Sequence, residues 1–121
     1  MLEHVSVPVR NFEKAKAFYL AALKPLGYKL TQDYSPQAAG FKQGGHTSFW
    51  IAAKKQQDTT HIAFRAKSRA EVRAFHKAAL KAGGKDNGKP GVRKDYSPDY
   101  YAAFVFDPDG NNIEAVTFKK N

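Results

Sequence analysis

The chain contains no cysteine, so disulfides, thiolate metal sites and cysteine nucleophiles are all excluded. Any metal centre would have to be built from histidine and carboxylate, and only four histidines are present: His4, His46, His61 and His76. Acidic residues are also scarce, with 11 Asp and Glu against 20 Lys and Arg, a net charge of +9. That excess raises solubility and attracts anions in general without naming a partner. Long apolar runs are missing, which excludes a membrane-spanning helix. Met1 to Arg10 lacks the basic start and apolar core of an export signal, so cytoplasmic residence is the expectation. What remains is a globular composition, 42% apolar and 13% aromatic, too apolar for disorder. At 121 residues there is room for one domain, or for two small modules that share a core.

Sliding the chain along itself by 57 positions reveals such a repeat. His4-Val-Ser-Val-Pro-Val9 falls on His61-Ile-Ala-Phe-Arg-Ala66, Asn11 on Ser68, Phe18 on Phe75, and Gly27 on Gly84. Each copy begins with an alternating strand headed by a histidine, followed by an N-cap, a helix and a glycine stop. Asn11 and Ser68 suit the N-cap because their side-chain oxygens accept from unpaired amides of the first turn. Phe12, Ala15, Tyr19, Ala22, Leu23 and Leu26 recur at helical spacing, as do Val72, Phe75, Ala79 and Ala82. Arg69, Arg73, Lys77 and Lys81 form a basic row on another face of the second helix. Such a row usually faces water, and no nucleic-acid module accompanies it, so nucleic-acid binding is not expected.

The rest of copy one reads as strands near 28–33, 40–43 and 47–53, with Gly44-Gly45 as a hairpin signal. Copy two reads as a Gly- and Pro-rich loop over 83–91, a strand over 101–106, the turn Asp107-Pro-Asp-Gly110, and a last strand over 112–118. The expected fold class is α+β. Two tandem βαβββ modules, about 1–57 and 58–121, form one domain with a shared curved mixed sheet around a cleft and helices on the outer face.

Strand alternation assigns faces. Val5, Val7 and Val9 pack under a helix and leave His4 and Ser6 opposite; Ile62 and Phe64 do the same and leave His61 opposite. In the last strand Ile113, Ala115 and Thr117 form one row, with Glu114 on the other. If the sheets curl toward one another, His4, His61 and Glu114 meet. Two imidazoles and a carboxylate on one side of a divalent ion make the facial set used by non-haem iron and related enzymes. A histidine at a strand start is more often a surface residue than a ligand, and it is the repetition that favours the metal. His46, after two glycines, reads as exposed, and His76 as packing at the edge of the helical stripe.

His4-Val-Ser-Val, Leu26-Gly27-Tyr28, Thr60-His-Ile-Ala-Phe64, the run from Phe75 to Gly84, and above all the run from Tyr101 through Asp107-Pro-Asp-Gly-Asn-Asn-Ile-Glu114 to Val116 carry a likeness to a known family. The chain resembles the vicinal oxygen chelate superfamily, which includes glyoxalase I, bleomycin resistance proteins, extradiol dioxygenases and fosfomycin resistance enzymes. The resemblance covers essentially the whole chain. It implies metal ligands on first and last strands of the modules, and His4, His61 and Glu114 fall on three of the four positions. The fourth lies in Ser48-Phe-Trp-Ile-Ala52, where Trp50, or Phe49 after a one-residue slip, faces the cleft; neither binds metal. That departure puts glyoxalase I-like isomerisation in doubt and leaves a three-ligand site for Zn, Ni, Mn or Fe.

Arg93, Tyr96, Tyr100 and Tyr101 are further cleft candidates. An arginine beside a hydroxyl can hold a carboxylate or phosphonate, and rings can wall a pocket. With Trp50, the residues Arg93, Tyr96 and Tyr101 are the expected substrate contacts. The expected function is a divalent-metal-dependent enzyme acting on a small oxygenated molecule, its reaction type open among lyase or isomerase, dioxygenase and transferase. The alternative is a metal-free sequestering protein of the bleomycin-resistance type. The resemblance also implies a homodimer, with the site inside one chain or across two.

Overall fold

The two copies fold into two separate four-stranded sheets, each with one helix on it. The structure is a computed structural model and describes residues 2–55 and 58–121. The junction expected between the copies, at 56–57, lies outside the described residues. Copy one runs β1 (Val5–Val9), α1 (Phe12–Leu23), a 3-10 turn (Lys24–Leu26), β2 (Lys29–Tyr34), β3 (Ala38–Lys42) and β4 (Thr47–Ala53). Copy two runs β5 (His61–Arg65), α2 (Arg69–Lys81), β6 (Lys85–Val92), β7 (Tyr101–Phe106) and β8 (Asn112–Thr117). Strand order is β1-β4-β3-β2 in one sheet and β5-β8-β7-β6 in the other, so β1 and β5 are both edge strands. Each pairs in parallel with the last strand of its own copy, and the other pairings are antiparallel. No strand pairing closes the two sheets into one among the described residues.

The helices start where their caps dictate. Asn11 accepts from the Lys14 amide and Ser68 from the Glu71 amide. Beneath them lie the rows that strand parity assigns to the core: Val7 and Val9, Phe49 and Ile51, Phe64, and Ile113, Ala115 and Thr117 are all buried. The core is continuous across the copies. The Phe49 ring stands edge-on to Phe64 at 5.1 Å, and Tyr28 meets Phe64 at 5.3 Å.

Two local features differ from the sequence reading. The Gly- and Pro-rich stretch read as a loop forms β6. It can do so because it is the outermost strand of its sheet, where Pro90 costs no ladder bond on the unpaired side. Its register shifts between Asp86 and Gly88 and again between Gly88 and Gly91, which absorbs the irregular sequence. The second difference concerns the stop glycines. Gly27 adopts a left-handed conformation with φ 88°, and its counterpart in copy two is Gly83 with φ 101°, one residue before the Gly84 that the repeat aligns. Gly84 is small for another reason, since a Cβ there would sit 2.7 Å from Phe18 Cε1 and 2.9 Å from the Ala79 carbonyl oxygen.

The turn between β7 and β8 joins the halves. Asp107 is buried, and its carboxylate accepts from the Tyr19 hydroxyl of α1 at 2.5 Å, from the Asp109 and Asn111 amides at 2.8 Å, and from Asn111 Nδ2 at 2.8 Å. Asn111 Oδ1 in turn accepts from the Thr60 amide at 2.9 Å, just ahead of β5. Burial, then the neighbouring Asp107 charge, push the Tyr19 phenol well above its usual range, so it remains a donor.

Tyr19→Phe removes one of those donors and is expected to cost about 1–3 kcal/mol, seen as a lower urea midpoint at unchanged slope. An unchanged midpoint would mean that the bond does not hold the halves together. Gly84→Ala should cost a similar amount, about 1–3 kcal/mol, because backbone and ring must both move. Gly45→Ala, with nothing within 4 Å of the added Cβ, should stay within about 0.5 kcal/mol of the parent in the same assay.

Candidate functional site

The second sheet has one face under α2 and one face that no helix covers. Register places a row of side chains across the uncovered face, since directly paired residues share a face. Gly88 pairs with Phe104, Phe104 with Glu114, and Glu114 with Ala63. Ala103, Val105, Ile113 and Ala115 occupy the helix side and are fully buried. The uncovered row therefore runs from the outermost strand to the edge strand β5 and carries one carboxylate, Glu114.

Glu114 is only 1% exposed. His61, two residues before Ala63 and on the same face, brings Nε2 to 2.9 Å from Glu114 Oε1. The other oxygen, Oε2, accepts from the Tyr100 hydroxyl. A carboxylate oxygen accepts, so the bond from His61 to Glu114 is made with an imidazole proton on Nε2 and turns Nδ1 away from Glu114. The His61 side chain is 52% exposed while that of Glu114 is 2%, which makes the pair a buried charge with an accessible imidazole on top. Phe104 flanks it, its ring centroid 6.3 Å from the imidazole.

Tyr100 reaches Glu114 because it continues the register of β6 and β7. Val92 pairs with Tyr101, and one step beyond, the Arg93 amide donates to the Tyr100 carbonyl at 2.7 Å. Arg93 and Tyr100 thus leave the sheet together on the uncovered face. Burial and the bond to Glu114 push the Tyr100 phenol up to about 12. Tyr96, 63% exposed, packs its ring edge-on to Tyr100 at 4.9 Å.

The expected site residues are placed as follows. His61 and Glu114 come together. His4 lies just ahead of β1, exposed, with Nδ1 2.6 Å from Glu3 Oε1. It lines, with His61, Arg65, Tyr28 and Ser48, a groove of about 340 Å³ to which both edge strands contribute. Arg93 and Tyr96 belong to the Tyr100 segment beside the pair. Trp50 lies on the uncovered face of the first sheet, parallel to Tyr34 within 4° at 6.2 Å, over Gly40, where a Cβ would come 3.0 Å from the indole. Tyr101 faces α2 instead: the Arg69 guanidinium sits 4.7 Å from its ring centroid and Arg73 donates to its hydroxyl at 3.4 Å. Half of the basic row is thus spent on a tyrosine. His46 Nε2 bonds the Glu3 carbonyl oxygen at 2.7 Å, and His76, buried on α2, bonds Asp86 at 2.9 Å, which holds that carboxyl below its usual range. Phe104 was not among the expected residues, although the parity of Ala103 and Val105 points to it.

A three-donor metal site does not fit this arrangement of one chain. Among the described residues no three His, Cys, Asp or Glu side chains gather as a ligand set. Two of the required donors meet, but both oxygens of Glu114 already hold partners and His4 is turned to Glu3.

The chain matches the family model described as Glyoxalase/Bleomycin resistance protein/Dioxygenase superfamily over residues 1–115. It is similar in structure to a glyoxalase/bleomycin resistance protein from Albidiferax ferrireducens T118, at 33% identity and TM-score 0.80, covering 96% of this chain and 97% of that one. A glyoxalase/bleomycin resistance protein/dioxygenase family enzyme from Burkholderia phytofirmans PsJN gives 17% identity and TM-score 0.75 over 97% and 98% of the two chains. Lactoylglutathione lyase from Agrobacterium tumefaciens gives 17% identity and TM-score 0.73 over 96% and 92%; at such identities the likeness concerns the fold alone. No curated protein sequence matches significantly. No helix among the described residues is long and apolar enough to cross a membrane.

The Tyr100 phenol is expected to titrate near pH 12, against an ordinary value of 10. Any stability it lends the fold is therefore full below pH 10 and lost as pH rises toward 12. Following the Cζ resonance of Tyr100 by NMR checks this. Glu114→Gln should lower the midpoint only partway, because burial is the larger cause. A midpoint near 10 in the parent would contradict the bond to Glu114.

Proposed function

The chain belongs to the glyoxalase/bleomycin resistance protein/dioxygenase superfamily, and from that premise we propose that it binds a small oxygenated organic molecule on the uncovered face of its second sheet and handles a proton there with His61 and Glu114. One observation carries the reading: a fully buried carboxylate lies 2.9 Å from a half-exposed imidazole. Glu114 orients the ring and stabilises the imidazolium that forms when Nδ1 takes a proton from an acidic C–H or O–H of the bound molecule. Tyr100 holds the second carboxylate oxygen and so fixes the plane of Glu114. Phe104 supplies an apolar wall on one side of the imidazole, its ring centroid 6.3 Å away. The reaction class this supports is proton abstraction next to an oxygen function, in an isomerase or lyase. A homodimer is part of the proposal, with a second copy covering the open sheet faces that leave Tyr34, Tyr96 and Phe118 exposed.

The second reading is the metal-dependent enzyme, favoured by His4 and His61 lining one groove. It requires His4 to leave Glu3 and Glu114 to exchange a partner, or a second chain to bring its own histidine.

Two measurements separate the readings. Nitrogen NMR of His61 should show the proton on Nε2, with the preference lost in Glu114→Gln; a proton on Nδ1 would remove the base. Elemental analysis of protein purified without chelators or a His-tag column is the second. Stoichiometric Zn, Ni, Mn or Fe that disappears in both His4→Ala and His61→Ala would replace the first reading by the second. With a substrate in hand, His61→Ala should slow turnover by roughly 100- to 10,000-fold.

A further inference from the structure

We propose that the Arg93 guanidinium anchors the carboxylate of an organic acid whose apolar body lies along Phe104 toward His61. This assigns a substrate class to the face described above and rests on the proposed role of His61 and Glu114. Three observations on β6 and β7 lead to it.

First, Arg93 is on the right face. It continues the pairing of β6 and β7 opposite Tyr100, and its guanidinium carbon lies 5.4 Å from the centroid of Phe104, the residue next to Glu114 in the cross-strand row. Second, the guanidinium occupies a recess that exists because two residues lack side chains. A Cβ on Gly88 would fall 3.1 Å from Arg93 Nη2 and 2.9 Å from Phe104 Cδ1, and a Cβ on Gly91 would fall 3.1 Å from Nη1. Nη2 also donates to the Lys89 carbonyl at 2.6 Å, so the planar group is held by ring, backbone and recess together. Third, its charge is unanswered: among the described residues no carboxylate forms an ion pair with it. A fixed guanidinium with one edge on a carbonyl retains N–H donors for a planar acceptor, which is the geometry of carboxylate recognition. Because the buried Glu114 carboxylate belongs to the same row, a singly charged anion suits the face better than a dianion. Phe104 lies between the two polar ends, 5.4 Å from Arg93 and 6.3 Å from His61, and gives an apolar body a surface to rest on.

The test uses the full chain and two probes of the same shape, benzoate and its neutral analogue benzamide, titrated by NMR with the Arg93 side-chain N–H and the His61 ring as reporters. Benzoate should bind at least about ten-fold more tightly than benzamide and shift both reporters. Arg93→Gln should abolish that preference, and Arg93→Lys should keep part of it, as a point charge without the fork. Equal affinity for the two probes, no benzoate binding, shifts centred on Arg65 and His4 instead, or a preference that survives Arg93→Gln would each overturn the proposal. Its failure is distinguishable from failure of the proton-handling role. If His61→Ala retains the benzoate preference and the Arg93 shift, the anchor stands by itself; the His61 tautomer decides the other question.

Discussion

A buried carboxylate at Asp107 sets the position of nearly everything the site requires. Desolvating a charge is costly unless polar partners replace water, and here four donors do so: the Tyr19 hydroxyl, two backbone amides and the Asn111 side chain. Each donor belongs to something that must be placed. Tyr19 is the buried face of α1, so copy one is tied to copy two. The amides of Asp109 and Asn111 shape the turn, with Gly110 in a left-handed conformation that a side chain would strain. Asn111 passes the constraint on to Thr60, while the Asn112 amide donates to the Thr60 carbonyl at 2.9 Å. The start of β8 and the start of β5 are thereby fixed side by side, with His61 paired to Asn112. Glu114 follows two residues along β8, on the face that lets it reach back to His61.

This explains why the run Asp107 to Glu114 is compact in sequence. Most of it is scaffold, and only Asn112 and Glu114 share the uncovered face with His61. It also explains why the first-strand histidines do not behave alike. His61 stands beside the strand that carries Glu114. His4 stands beside β4, where the row sharing its face offers Trp50, paired with Ser6, and no carboxylate. An imidazole without an acceptor across the strand turns to the nearest one along the chain, Glu3. The repeat is symmetric in backbone and asymmetric in chemistry.

Much of the architecture was legible because local physics reports it directly. The caps at Asn11 and Ser68 start the helices, and two-residue alternation placed Val7, Phe64 and Ile113 beneath them and His61 and Glu114 opposite. What was not legible depended on non-local facts. The stretch from Lys85 to Val92 has a loop's composition, and only its position at the outer edge of a sheet lets it be a strand. The choice between Tyr100 and Tyr101 turns on register against β6, because one residue exchanges the ligand face for α2. Gly83 and Gly84 are interchangeable on paper; the left-handed cap claims one and contact with Phe18 the other. Whether His4 meets Glu114 depends on how two sheets are disposed, which no period within one strand encodes.

Asp107 and Glu114 are both buried carboxylates seven residues apart, and their surroundings separate structure from chemistry. Around Asp107 four donors come from groups that are themselves packed, so protonation or movement there would unfasten the fold. Around Glu114 two side-chain donors are present, and one of them, His61, is half exposed. A carboxylate that is well satisfied by rigid neighbours has nothing to offer a ligand, whereas one whose partner can be approached from solvent passes its charge outward through that partner. A satisfied carboxylate could have been built at position 114 from backbone amides, as at position 107, with greater rigidity. That it is served instead by an imidazole and a phenol, on the one face of the sheet left without a helix, is the physical reason for proposing a functional site there.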